Sequence, residues 1–314
     1  MANNRYLGFD VGGTKVTGIL STDEGKVLDR KEVKTKKFLG PTALIDQIKS
    51  FSKEFDDFDE ISLVFPAPIS YSGVALTAPN LTGWNSVNIK KRLMDKFGKY
   101  VYVDNDATAQ TISVKIFDKG KKYKNFAYLV IGTGIGGGLF LNDRIYRGAN
   151  GYAGEIGHMV ILANGPGCGC GRRGCIEALG SGRSITRRVI ENVGEFRKSS
   201  FLSNIPPNRL VTEDVFSGRR LGDPFSTLVL DEEIYYLSIA VANIINILDP
   251  EAIFVGGGVM KNDPSFIKDL EEATKHELGN YTRKVPILKV MDRTIDLAPI
   301  ALAIYEKRFG KEVK

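Results

Sequence analysis

The sequence predicts an α/β protein built from two similar halves, and three observations lead there. Strand-like apolar runs alternate with helix-period segments along all 314 residues. The opening order of strand, glycine turn and strand at Arg5 to Ser21 recurs at Phe126 to Tyr146. No linker rich in Pro, Gly and Ser interrupts the chain, so two domains are expected to meet at a cleft and not to hang on a tether. The expected division is a smaller α/β domain over 1–117 and a larger one over 118–296. A last helix at about 297–312 packs back on the first.

Arg5 to Asp10 and Thr14 to Ser21 are β-rich runs joined through Gly12 and Gly13, and Val27 to Thr35 completes an antiparallel meander that a Rossmann unit does not have. A helical pattern follows at Thr42 to Phe55, then an apolar strand at Ile61 to Phe65 stopped by Pro66 and Pro68. Tyr100 to Asp104 reads as a strand and Ala107 to Phe117 as a helix. The second half starts with strand Phe126 to Ile131, a glycine turn over 132–138 and an alternating strand Leu139 to Tyr146. Helices are expected around Ser184 to Asn192, at Thr212 to Phe216 and at Phe225 to Leu248, the last ended by Asp249-Pro250. A buried strand at Ala252 to Val255 runs into Gly256, Gly257 and Gly258. A helix at Pro264 to His276, a strand at Val285 to Val290 and a helix from Leu297 to about Arg308 close the chain.

Composition narrows the function classes. With 43% apolar and 25% charged residues, three cysteines and two histidines, the membrane, fibrous and disulfide-rich classes drop out. No window approaches the ~18 apolar residues of a spanning helix, and Met1 to Arg5 is too short and polar to open a signal peptide, so a cytoplasmic protein is expected. The net charge of +6 is too small and scattered for a nucleic-acid footprint, and the clusters Lys34 to Lys37 and Lys119 to Lys124 read as solvated faces. Glycine is the unusual count: sixteen of 34 fall between Gly132 and Gly182, interleaved with strand-like runs, where they serve as close-approach turns.

Asp10, Gly12, Gly13, Thr14 and Lys15 put a carboxylate at a strand end beside two glycines and a hydroxyl. Backbone N–H groups reach phosphate oxygens only where no Cβ intervenes, and a carboxylate can hold Mg²⁺ directly or through water; a plain hairpin turn is the alternative. Gly132 to Gly137 formally matches G-x-G-x-x-G, yet a strand follows where the dinucleotide fingerprint needs a helix. It therefore reads as a second phosphate-binding hairpin, with Gly132, Thr133 and Gly134 at its turn. Asp104, Asn105 and Asp106 follow a strand and precede a helix, a usual place for catalytic groups in α/β sheets. Asp106 could take a proton from a hydroxyl and Asn105 could donate to or accept from a neighbouring one, while an Asp serving as helix N-cap is the bland reading. His158, Cys168, Cys170 and Cys175 form H-x9-C-x-C-x4-C, a donor set suited to tetrahedral Zn²⁺, against buried thiols or a redox role. Glu155 and Glu177 flank it.

Together these segments resemble the ROK family of sugar kinases and repressors, from Leu7 to about Ile304. The run from Gly148 through Glu155 to His158, and Cys168 through Cys175 to Glu177, looks like the family signature almost letter for letter. The resemblance implies the actin-like, hexokinase-type pair of ribonuclease-H-like domains with the active site in the cleft. It implies that Asp10 and Gly12 to Thr14 face the γ-phosphate and Mg²⁺, that Gly132 to Gly134 hold nucleotide phosphates, and that Gly256 to Gly258 form the adenosine-side turn. Asp106 matches the catalytic base; Asn80, Asn105, Glu155, His158 and Glu177 match sugar contacts, His158 with one nitrogen on zinc and one toward sugar. Ala67 stands where the family usually has glycine, placing a methyl group near the expected sugar approach. Only nine residues precede Asp10, where the family's repressors carry a DNA-binding segment, so no nucleic-acid partner is expected. The activity implied is ATP-dependent phosphorylation of the 6-hydroxyl of a glucose-type hexose by a homodimer. The alternatives are a kinase for N-acetylmannosamine, N-acetylglucosamine, fructose or allose, a polyphosphate donor, or a sugar-responsive regulator.

Overall fold

The structure, a computed structural model, describes residues 4–36, 38–77, 81–192, 201–261, 263, 265–280 and 283–310. Two compact units account for the chain: Met1–Lys124 with Gly138–Gly154 and Met291–Lys314, and Asn125–Gly137 with Glu155–Val290.

The first unit opens on β1 (Arg5–Val11), β2 (Lys15–Thr22) and β3 (Val27–Lys34), then α1 (Gly40–Ser52) and β4 (Glu60–Phe65). A hairpin of β5 (Val74–Thr77) and β6 (Asn85–Asn88) leads to α2 (Ile89–Phe97), β7 (Val101–Asn105) and α3 (Asp106–Phe117). The sheet order is β3-β2-β1-β4-β7, an antiparallel meander extended by two parallel strands. The second sheet contains β8 (Phe126–Ile131), β9 (Ile135–Leu141) and β10 (Arg144–Tyr146). Then come α4 (Ile176–Gly180), α5 (Gly182–Asn192), α6 (Thr212–Arg220), α7 (Pro224–Leu248), β11 (Ala252–Gly256), α8 (Phe266–Leu278) and β12 (Ile287–Lys289). Its order, β10-β9-β8-β11-β12, repeats the first sheet strand for strand, and the boundary between units passes within β9. The duplicated α/β fold predicted from the repeated opening is therefore present, with the two similar sheets that the family resemblance implied.

Alternation along β1 explains how the first sheet is covered on both faces. Leu7, Phe9 and Val11 join Leu44, Ile45, Ile48 and Phe51 of α1 in one core, with the Phe9 and Phe51 rings 5.8 Å apart. Burying a ring of that size stabilises by about 1.5–3 kcal/mol, enough to penalise any one-residue slip of the strand. On the opposite face Tyr6 meets Ile300 and Ile304 of the last helix, α10 (Ala298–Phe309), which follows the short α9 (Asp292–Asp296). Ser62 in β4 donates to the Pro299 carbonyl at 2.6 Å, tying that helix to the sheet.

Some elements differ from the sequence expectation. β5, β6 and α2 fill the stretch between Pro68 and Tyr100, where no element was predicted; α2 buries only Ile89 and Leu93, too few positions to set a clear helical period. The strand expected over Val285 to Val290 is three residues long, and α6 continues to Arg220. Among the described residues no helix is long and apolar enough to cross a membrane.

Candidate active site and metal cluster

Register brings the first pair of carboxylates together. Asp10 on β1 is level with Val64 on β4, and Val64 is level with Asp104 on β7, so Asp10 and the residues just after Asp104 share the carboxyl edge of the parallel strands. Asn105 caps α3: its Oδ1 accepts from the Thr108 N–H at 2.6 Å. The cap is thus Asn105 and not Asp106, whose Oδ1 instead accepts from the Ala107 N–H at 2.8 Å. Asn105 has its side-chain carbonyl oxygen committed to the cap, which leaves its amide NH₂ as the side chain's donor.

Desolvation pushes the Asp10 carboxyl up to about 6, helped by the negative charges of Asp106 and Asp296. Desolvation also raises Asp106, against the opposing Ala107 N–H. Both side chains keep accessible surface, so the cause is the depth of protein around them and not complete enclosure. The turn after Asp10 is pinned by the Gly12 N–H on the Lys15 carbonyl at 2.9 Å and by the Thr35 hydroxyl on the Gly12 carbonyl at 2.7 Å. Lys15 itself pairs with Glu32 at 2.8 Å on the surface.

In the second unit the Gly132 to Gly134 turn is held from outside its own strands. Glu177 Oε2 accepts from the Ile135 N–H at 3.1 Å, and a Cβ at Gly134 would lie 2.5 Å from that oxygen. The Gly182 N–H, at the start of α5, donates to the Gly132 carbonyl at 2.8 Å. After β11, Gly257 has φ +104 and packs on the Ile131 backbone, so no other residue fits there. Gly13, Gly132 and Gly258 are different: a Cβ at any of them meets nothing within 4 Å, and none has positive φ. Packing does not require glycine at these three positions, which fits turns left open for phosphate or nucleotide atoms.

The predicted metal ligands converge. His158, Cys168, Cys170 and Cys175 bring their ligand atoms within 4.8 Å of one another. His158 Nδ1 lies 3.7 Å from Cys168 Sγ, and Cys170 Sγ lies 3.7 Å from Cys175 Sγ. A tetrahedral site with Zn–S of about 2.3 Å and Zn–N of about 2.0 Å has edges of about 3.5–3.8 Å, so the set fits Zn²⁺. Burial pushes the Cys168 thiol up to about 12, while the Arg172 N–H holds Cys170 below the usual thiol range. His158 Nε2 points the other way, 3.9 Å from Glu155 Oε2.

Glu177 therefore touches both the glycine turn and the cluster, its Oε1 accepting from Cys168 Sγ at 3.7 Å. Asn80 lies outside the described residues. Ala67 is 6% exposed and belongs to the first unit's hydrophobic core, so its methyl group packs inward and is not offered to a ligand. Sequence reasoning placed Asp104 at a strand end but missed Arg147 and Glu306, which meet it behind Asn105; nothing in their spacing marks them as its partners.

The sequence pattern of the ROK family matches residues 6–296. A glucokinase of Halalkalibacterium halodurans is 34% identical over 87% of this chain and 86% of its own length. A xylose repressor of Bacillus subtilis is 28% identical over 89% of this chain and 72% of its own. The crystal structure of a ROK hexokinase from Thermus thermophilus superposes with a TM-score of 0.81 at 27% identity, covering 97% of this chain and 99% of that one.

Proposed function

The chain belongs to the ROK family, and from that premise we propose that it transfers the γ-phosphoryl group of ATP to the 6-hydroxyl of a glucose-type hexose. The observation that carries this reading is the state of Asp106. Asn105 supplies the helix cap, so Asp106 is left as an accessible carboxylate with a raised pKa beside Asp10, at the carboxyl edge of the strands. Such a group can accept the hydroxyl proton as the sugar oxygen takes the phosphoryl group and ADP leaves. The Asn105 amide, Glu155, His158 through Nε2, and Glu177 orient sugar hydroxyls, with Asn80 assigned the same role. Asp10, Gly12 to Lys15, Gly132 to Gly134 and Gly256 to Gly258 receive ATP. Mg²⁺ accompanies ATP, is held near Asp10 directly or through water, and offsets phosphate charge. His158 Nδ1 and the three thiolates hold a structural Zn²⁺ that fixes the loop carrying Glu155 and Glu177. The same proposal includes a homodimer.

The test is ADP release across a panel of hexoses. Turnover with glucose supports the reading; turnover only with an N-acetylhexosamine, fructose or allose keeps the chemistry and changes the substrate. A second reading, a sugar-responsive regulator, is favoured by the likeness to the xylose repressor over most of the chain. Sugar-dependent fluorescence of Trp84 without ADP release from any sugar would establish it and sink the kinase.

A further inference from the structure

We infer that Arg147 is a positioning residue that sets the Asn105–Asp106 pair through Asp104. The inference rests on the catalytic role proposed for that pair. Arg147, in the loop after β10, sends Nε to Asp104 Oδ2 at 2.8 Å and Nη2 to the same oxygen at 2.7 Å. Nη2 also reaches Glu306 Oε1 of α10 at 2.5 Å. The Asp104 side chain is 4% exposed and that of Arg147 17%, so the pair is largely removed from water. The other oxygen of Asp104, Oδ1, accepts the Asn105 N–H at 2.8 Å.

A continuous path therefore runs from Glu306 through Arg147 and Asp104 to the Asn105 amide, and on through Asn105 Oδ1 to the Thr108 N–H. A staple between loop and sheet needs only Asp104 Oδ2. The bond from Oδ1 to the Asn105 amide fixes the peptide that sets the start of α3, where Asp106 is the first residue. Two charge-assisted bonds to one oxygen hold the carboxylate plane, which decides where Oδ1 points. The coupling is geometric: a turn of that plane swings the Asn105 amide and displaces the Asp106 carboxylate with it.

Lysine cannot reproduce the arrangement, because a single ammonium does not offer a rigid fork to Asp104 while also reaching Glu306. The triad lines a cavity of about 240 Å³ with Tyr100, Tyr102 and Tyr305, so a small cation has access to the place that a truncated Arg147 leaves.

The test compares wild type, Arg147→Lys, Arg147→Ala and Asp104→Asn in hexose phosphorylation and in amide exchange. Arg147→Lys is expected to lose about 10- to 100-fold in kcat with the KM for ATP within about twofold, as misplacement of a reacting group does. The Asn105 and Thr108 amides should exchange faster while those of β1 and β2 stay protected. Arg147→Lys combined with Asp104→Asn should lose no more than the worse single change, and millimolar guanidinium should restore part of the kcat of Arg147→Ala. The inference is overturned if Arg147→Lys keeps wild-type kcat, or if these variants lower the melting temperature while both amides stay protected. If the wild type phosphorylates no sugar, the proposed function fails on its own, and the exchange of the two amides still decides the role of Arg147.

Discussion

The two glycine turns occupy the same place in two sheets of the same topology, yet they are supported differently. The turn at Gly12 to Thr14 is pinned by its own meander, through Lys15 of β2 and Thr35 just past β3. The turn at Gly132 to Gly134 is pinned by Glu177 and by the first residue of α5, both just after the segment that carries the metal ligands. Duplication of a fold thus does not duplicate its stabilisation. The first sheet combines a self-contained turn with the carboxylates, while the second depends on residues next to a loop whose four ligand atoms fit a metal clip.

The contrast can be broken in order of expected effect. Asp106→Ala should fold and bind sugar yet lose about three or more decades of turnover, from lost base catalysis and lost orientation. Near-normal turnover, measured by ADP release, would remove the chemistry from the first sheet. Chelation of metal, or Cys175→Ser at a fully buried position, acts on the other side of the comparison. A ligand lost from a concentration near a thousandfold its Kd costs about 4 kcal/mol, or about 10 °C in melting temperature for a unit of this size. Metal analysis should find about one zinc per chain, and calorimetry should place the loss in the second unit, with the first melting as before. A smaller effect separates the turns themselves. Gly13→Ala and Gly132→Ala meet no protein atom and should leave the melting temperature unchanged, while the KM for ATP rises about tenfold as backbone N–H contacts to phosphate weaken. Gly134→Ala also strikes Glu177 and should destabilise; equal stability of all three variants would mean that Glu177 does not brace the second turn.

What could be read from the sequence was local. The spacing of His158, Cys168, Cys170 and Cys175 is a donor set within one loop, and the fourfold convergence follows from it. The repeated opening pattern gave both meanders because hairpin turns act over a few residues. The tripeptide Asp104-Asn105-Asp106 marked a site, but the division of labour within it is not local to the sequence: which residue caps α3 depends on the backbone angle at which β7 ends. Arg147 and Glu306 were invisible for a different reason. They lie 43 and 202 residues from Asp104 in the chain, and only the placement of α10 against the first sheet brings them together. Long-range ion pairs carry no periodicity to detect.

A dependence on pH sharpens the comparison through acids in opposite surroundings. Asp10 keeps accessible surface and has company; Glu233 on α7 is fully buried, and neither carboxyl oxygen has a hydrogen-bond partner. Desolvation pushes Glu233 up to about 8, with Arg188 and Arg219 opposing it. The folded state then holds a proton that the unfolded chain, with an ordinary value of 4.5, has released. The stability this proton confers is complete below about pH 4.5 and is lost as pH rises to about 8, by up to about 1.4 kcal/mol per pH unit. Asp10 follows the same sign over a lower window, from 3.8 to about 6. Denaturant melts between pH 5 and pH 8 should show Glu233→Gln losing less stability than wild type over that range. Asp10→Asn should flatten only the part below about pH 6. If Glu233→Gln instead runs parallel to wild type, the buried carboxyl is already ionised and one of the two arginines has turned to meet it.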